Sequence, residues 1–320
     1  MKLSLYSVIA CILVAGSVTT RAADPAPDVF MGDWQESSTN GVVAQIIALG
    51  DGQYEAVVLP RFDTRERLLG RLHGTTRDDI VVFENEKGIG LINNGVLVIK
   101  LSGRPGAHVL KKVERRSPTL GKKAPKGAIV LFGGTDTGGW RQRNGNPCGW
   151  KIVDGAMEVT PGAGGDIVST NVFNDHTLHI EFRTPFMPKA RGQGRGNSGV
   201  YLQTRYEVQV LDSYGLEGKN NESGGIYGVS DPKVNACYPP LEWQTYDIQF
   251  RAPRYAADGT KTEDACMTVY HNGVLVQDKA SVPGVTTSGV GGDLTTPQGL
   301  LLQDHGNPVQ YRNIWAVIPD

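Results

Sequence analysis

The chain between Thr177 and His305 holds short runs in which apolar and hydrogen-bonding side chains alternate. Successive side chains of an extended strand point to opposite faces, so residues two apart share a face. Leu178, Ile180 and Phe182 fall on one side of such a run, and His179, Glu181 and Arg183 on the other. Val200 and Leu202 oppose Tyr201 and Gln203, while Tyr206, Val208 and Val210 oppose Glu207 and Gln209. Tyr246, Ile248 and Phe250 oppose Asp247, Gln249 and Arg251. Leu300 and Leu302 oppose Gln303, and His305 as well if that strand reaches so far. A plain solvated sheet face would draw more on Lys, Thr and Ser. Glu, Gln, His, Arg and Tyr are planar groups that hydrogen-bond sugar hydroxyls and transfer protons. They read as the lining of a functional cleft, with a wet outer face as the plainer alternative.

A glycine-rich run, Gly192 to Gly199, lies just before the strand that carries Tyr201. A dinucleotide or phosphate loop must follow a strand and open a helix, and these glycines lead into a strand instead. They suit a rim loop whose backbone approaches a ligand closely.

The elements that must position these residues are strands. Val42–Ile47, Tyr54–Leu59, Ile80–Phe83, Gly90–Ile92 and Val96–Ile99 are separated by turn signals such as Asp51-Gly52 and Asn94-Gly95. Residues 29–114 are therefore expected to form a small β domain of hairpins. The basic, Pro-containing stretch 115–127 reads as a linker or domain-bridging loop. Beyond it come Lys151–Val153, Ala156–Val159, Thr177–Arg183, Ser198–Leu211, Gln244–Arg251, Met267–Tyr270, Val274–Gln277, Leu300–Gln303 and Val309–Ile318. No segment keeps a helical period over three turns, so the fold class is all-β: a sandwich, jelly roll or barrel.

Composition agrees. The 320 residues include 41 Gly and 18 Pro, which suits many turns. A formal net charge of -1 argues against a nucleic-acid binder driven by phosphate neutralisation. Met1-Lys2, the apolar run Leu3–Val18 and the small residues before Ala23 read as a secretory signal peptide cleaved after Ala22, hence an exported protein, periplasmic or extracellular. The run is short for a membrane span. Losing Cys11 leaves Cys148, Cys237 and Cys266, which permit at most one internal disulfide and form no C-x-x-C metal pair.

An ordered series of motifs resembles the 3-keto-disaccharide hydrolase domain family. It runs through Leu131-Phe132-Gly133-Gly134, Asn197-Ser198-Gly199-Val200-Tyr201, Tyr206–Asp212, Gly225-Ile226-Tyr227-Gly228 and Glu242–Asp247. It continues through Asn272-Gly273-Val274 and Leu302-Gln303-Asp304-His305 to Tyr311-Arg312-Asn313-Ile314-Trp315. The resemblance spans about residues 128–318. It implies a concanavalin A-like jelly-roll sandwich, export, and cleavage of di- or oligosaccharides oxidised at C3 of the sugar. A ketone at C3 acidifies the hydrogen on C2, so a base can remove it and expel the C1 substituent by β-elimination, with water adding afterwards. His305 is the expected base, since an unperturbed imidazole titrates near ~6.5. Glu207 is the expected acid or second base. Gln209, Gln303 and Arg312 are candidates for sugar or enolate oxygens, and Tyr201 and Trp243 for packing on a sugar ring. His179, Glu181, Asn197, Gln203 and Tyr227 complete the expected binding set. Asp212, on the opposite parity from Glu207, acts past the strand end or is structural. No cofactor is required by a motif, but Glu207, Gln209 and His305 offer ligands for a divalent metal ion. Two alternatives remain open: a lectin-like binding module, and a conventional glycosidase using Glu181 and Glu207.

Overall fold

The structure is a computed structural model that describes residues 28–38, 41–64 and 68–319. The signal peptide expected at residues 1–22, with Cys11, lies outside the described residues. Among the described residues no helix is long and apolar enough to cross a membrane.

Eight strands come first: β1 (Gly32–Glu36), β2 (Val43–Gly50), β3 (Gln53–Leu59), β4 (Gly70–Arg77), β5 (Ile80–Asn85), β6 (Gly88–Asn93), β7 (Val96–Leu101) and β8 (His108–Val113). Each pairs antiparallel with the next, and β8 returns to β1, closing a barrel. Closure removes the exposed edges that a set of hairpins would otherwise present. Alternation along the strands fills the interior with Trp34, Ile46, Leu72, Phe83, Leu97 and Ile99. Asn94 and Gly95 take φ of 47° and 73° between β6 and β7, the conformation an Asn-Gly hairpin turn needs.

The remaining strands are β9 (Ile129–Phe132), β10 (Trp140–Gln142), β11 (Lys151–Val153), β12 (Ala156–Glu158), β13 (Ile167–Phe173), β14 (His176–Arg183), β15 (Ser198–Leu202) and β16 (Tyr206–Val210). They continue as β17 (Gln244–Arg251), β18 (Arg254–Tyr255), β19 (Lys261–Glu263), β20 (Ala265–His271), β21 (Val274–Val282), β22 (Gln298–Leu302) and β23 (Gln310–Val317). A five-stranded sheet has the order β10-β13-β22-β15-β16, and the larger sheet β11-β12-β23-β14-β17-β20-β21, with β9 on β23. The sheets bury one joint core: Leu178, Ile180 and Phe182 from the larger, and Val200, Val208, Val210, Leu300 and Leu302 from the smaller. Each such side chain contributes roughly 1.5–3 kcal/mol by leaving water. The chain is all-β, a concanavalin A-like jelly-roll sandwich preceded by a barrel.

One expectation needs correction. Ser198–Leu211 is a hairpin, not one strand. Gln203 and Thr204, at φ of 50° and 58°, turn β15 back onto β16. The stretch 115–127, between barrel and sandwich, lies as a strap along the outer face of the larger sheet. Thr119 Oγ1 donates to Asp247 Oδ2 (2.7 Å), Gly121 N to Glu181 Oε1 (2.6 Å), and Asn313 Nδ2 to Lys122 O (3.0 Å).

The barrel and the sandwich share a buried polar junction. Arg115 pairs with Asp33 (2.6 Å) and Asp63 (2.9 Å) and lies between the rings of Phe62 and Tyr238. Tyr214 donates to Asp33 Oδ1 (2.7 Å) and packs with Ile47 and Val57. A Cβ on Gly215 (φ +75°) would stand 2.2 Å from Ile47 Cδ1, so glycine is required at that contact. Cys148, Cys237 and Cys266 are free thiols.

Candidate active site

The outer face of the smaller sheet carries Tyr201 on β15, Glu207 and Gln209 on β16, and Gln303 just past β22. The hairpin register sets Tyr201 opposite Glu207 and Gly199 opposite Gln209. Gln303 Nε2 donates to the Tyr201 hydroxyl (3.0 Å), which in turn hydrogen-bonds the Glu207 carboxylate. Gly199 leaves the space that this carboxylate fills: a Cβ there would stand 2.6 Å from Glu207 Oε1 and 2.6 Å from Tyr201 Cε2. Glu207 is 2% exposed. Burial pushes its pKa up, the Tyr201 hydrogen bond opposes the rise, the Asp166 charge adds to it, and the carboxyl reaches about 7. Such a group holds and releases a proton near neutrality, which general acid–base work requires. Burial and the Glu207 charge hold the Tyr201 phenol well above its ordinary range, so it stays a donor.

Asp166, which no motif marked, also anchors the loop beyond β22. Its Oδ1 accepts the Asp304 N–H at 2.9 Å. His305 follows on that loop, off the strand and exposed, and its ring has no hydrogen bond or ion pair among the described residues. The expected base is therefore not preorganised against Glu207, and the buried carboxyl is the group whose environment has been tuned.

Beside Glu207 lies a group of amides. Gln209 Nε2 donates to Gln193 Oε1 (3.0 Å), and Gln209 Oε1 accepts the Val210 N–H (3.0 Å). Asn197 Nδ2 also reaches Gln193 Oε1 (3.2 Å). Tyr227, half-buried, lies where its segment pairs with β16, its N–H donating to Glu207 O (3.2 Å). Gln193 stands inside the glycine-rich run, where no sequence signal separates it from its neighbours.

Four expected site residues belong to the other sheet. His179 and Glu181 on β14, Arg312 on β23 and Trp243 before β17 face outward from the larger sheet, across the core from Glu207. Glu181 accepts from Arg312 Nε (2.7 Å), Asn313 Nδ2 (2.8 Å) and Gly121 N. Burial raises the Glu181 pKa, but hydrogen bonds from His179, Asn313, Arg312 and Gly121 outweigh it and hold the group at about 2. His179 Nδ1 lies 2.8 Å from Asp247 Oδ1 and its ring stacks on Trp315. Trp243 is covered by the Arg312 guanidinium, 3.9 Å from its ring centre. Glu181 holds the strap through the Gly121 N–H, and Arg312 and Asn313 brace Glu181. Glu181 and Glu207 cannot flank one glycosidic bond, which removes the paired-carboxylate glycosidase built on them. Alternation assigns a face within a strand, but it does not say which sheet the strand joins.

One further expectation changes, and one open alternative is decided. Gln203 sits in the hairpin turn and donates through Nε2 to Phe173 O (2.7 Å), so it shapes the turn. Asp212 is structural: it is fully buried against Arg195, Nε to Oδ2 at 3.2 Å. Of the set Glu207, Gln209 and His305 expected to ligate a metal ion, Gln209 Oε1 already accepts the Val210 N–H and His305 stands exposed on the loop past β22. Among the described residues no group of three or more His, Cys, Asp or Glu is placed to hold one. An open cavity of about 770 Å³ lies elsewhere, lined by Asp175, Arg254 and Tyr255, and takes in none of the expected site residues.

Architecture and polar face together define a concanavalin A-like sandwich of the carbohydrate-active class. Residues 127–317 match the family described as the 3-keto-alpha-glucoside-1,2-lyase-like domain, and the chain belongs to that family. Among solved structures it is similar to a candidate glycosyl hydrolase from Parabacteroides distasonis, at 37% identity and a TM-score of 0.55, over 61% of this chain and 84% of that one. A second candidate glycosyl hydrolase from the same organism is 21% identical with a TM-score of 0.44, over 61% of this chain and 95% of that one. No curated protein matches the sequence.

Proposed function

We propose that the protein cleaves glycosides whose sugar carries a ketone at C3, by elimination across C1 and C2 and then hydration. A base takes the C2 proton and the electrons form the enolate. The enolate expels the C1 oxygen, which leaves as the protonated aglycone. Water then returns a hydroxyl to C1 and a proton to C2, giving the 3-keto sugar. The observation that carries this reading is the buried Glu207, held near neutrality beneath the Tyr201 hydroxyl within the family-matched region. Glu207 takes and returns the C2 proton, Tyr201 and Gln303 fix its orientation, and His305 on the exposed loop serves the leaving group. Residues 1–22 support export as part of the same reading.

The test is incubation with paired oxidised and unoxidised disaccharides, with and without chelator, followed by product mass analysis. Cleavage of the 3-keto member alone is expected. In deuterated water the product should carry label at C2 beyond that acquired by free keto sugar as a control. An unlabelled C2 would replace elimination by displacement at C1. Equal cleavage of the unoxidised sugar would replace the substrate class, and binding without any product would make the domain a lectin-like module.

A further inference from the structure

We propose that Asn197, with Gln193 and Gln209, forms a subsite beside Glu207 whose buried Asn197 carbonyl oxygen accepts a hydrogen bond from a sugar hydroxyl. The inference rests on the carbohydrate reading above and deepens it. Asn197 immediately precedes β15, in which Gly199 lies opposite Gln209, and Gln209 shares the outer face of β16 with Glu207.

The amides hold one another in place. Gln193 Oε1 accepts from both Gln209 Nε2 (3.0 Å) and Asn197 Nδ2 (3.2 Å), and Gln193 Nε2 donates to Asn221 O (2.7 Å). These bonds fix the Asn197 amide so that its Nδ2 is used, and its Oδ1 is left buried without a donor. Asn197 is 1% exposed. A buried acceptor without a donor is uncommon and costly unless a ligand or water supplies one. The oxygen sits in a set of neutral amides and acts as an acceptor, which suits a neutral O–H donor and not a phosphate. Gln193, half-buried on the single turn Gly192–Gly194, covers the Nδ2 side of the Asn197 amide. Cβ atoms on Gly192 and Gly194 would meet nothing within 4 Å, so the turn borders open space beside the amides.

The experiment compares kcat/KM for a methyl 3-keto-glucoside and its 2-, 4- and 6-deoxy forms. The wild type should discriminate against one deoxy form by roughly tenfold or more, as a site built for a hydroxyl does. Asn197→Ala should process the parent as poorly as that deoxy form and lose the discrimination. Gln193→Ala, on the half-buried turn, should lose part of the same discrimination, with its melting temperature measured alongside. Equal discrimination in wild type and both variants would overturn the subsite, as would equal rates for all probes in the wild type. If the wild type turns over no 3-keto glucoside, the proposed function fails. Calorimetric binding of methyl glucoside and its deoxy forms then decides the subsite separately, by the same comparison.

Discussion

Glu207 owes its chemistry to burial and to two neighbours, which act in different directions. Burial beneath the loops and the charge of Asp166 disfavour its ionised form, and the Tyr201 hydroxyl favours it. As a general base it must be ionised, so kcat/KM should fall on the acid side with a midpoint at about 7. Glu207→Gln, which keeps shape and one acceptor, should lower kcat/KM by about 10²–10⁴-fold with little change in ligand binding. Tyr201→Phe removes the hydrogen bond that lowers the carboxyl pKa, so the acid limb should move to higher pH. A pH–rate profile of both variants checks this, and an unmoved limb in Tyr201→Phe would assign the titration to another group. His305 supplies the contrast: its loss should slow turnover without the limb near 7 disappearing.

At the scale of the element, the strap and the outer face of the larger sheet stabilise one another. Glu181 sits at about 2 in the folded chain against an ordinary value of 4.5. A depressed carboxyl contributes stability that is present above its unfolded pKa and is lost as pH falls through the folded one. Roughly 3 kcal/mol should therefore disappear between about pH 4.5 and 2. Burial alone would also hold the Asp247 pKa up, but His179 and Thr119 outweigh it and lower it, which adds to the same acid-side loss. Burial would lower His179, yet its bonds to Asp247 and Glu181 raise it above 6.5. Its contribution is complete below 6.5 and is lost as pH rises through the folded value. Denaturant midpoints measured across pH should thus peak between about 4.5 and 6.5 for this network, and Glu181→Gln should flatten the acid slope. Trypsin should cut after Lys122 or Lys123 slowly in the wild type, although both side chains are exposed, because the Lys122 carbonyl is held by Asn313 and Trp315. It should cut faster in Glu181→Ala, a change expected to cost about 3–5 kcal/mol because buried partners are left unpaired.

Across the whole molecule, barrel and sandwich meet through Arg115, Asp33, Asp63 and Tyr214, beside the apolar contacts of Tyr214 with Ile47 and Val57 and of Phe186 with the barrel core. Burial raises the Asp33 pKa, and Arg115 is its main compensation. Nearby Glu242 is pushed up to about 7 by burial and by the charges of Asp33 and Glu114, against Arg115 and Lys112. Arg115→Ala leaves two carboxylates without their cation at the junction, at a cost of about 3–5 kcal/mol. Calorimetry should then resolve two unfolding transitions where the wild type shows coupled unfolding. Turnover should persist, since Tyr201, Glu207 and Gln303 all belong to the sandwich. A single transition at an unchanged temperature would show that the barrel contact carries no coupling.

Local pattern determined much of this protein. The Asn94-Gly95 turn, the all-β class, the inward Val208, Val210, Leu300 and Leu302, and the outward Tyr201, Glu207, Gln209 and Gln303 follow from period-two alternation and turn chemistry. These are properties of neighbours along the chain. Which sheet each strand joins is a property of distant pairing. His179 and Glu181 therefore matched the site in type and parity, yet they lie across the core beneath the strap. A single strand from Ser198 to Leu211 would have set Tyr201 and Glu207 roughly 20 Å apart at ~3.3 Å per residue. The turn at Gln203-Thr204 instead brings them face to face. Barrel closure, the course of residues 115–127 and the Asp166 charge that tunes Glu207 likewise depend on contacts between remote segments. Tertiary structure decided them, because burial and charge act through space.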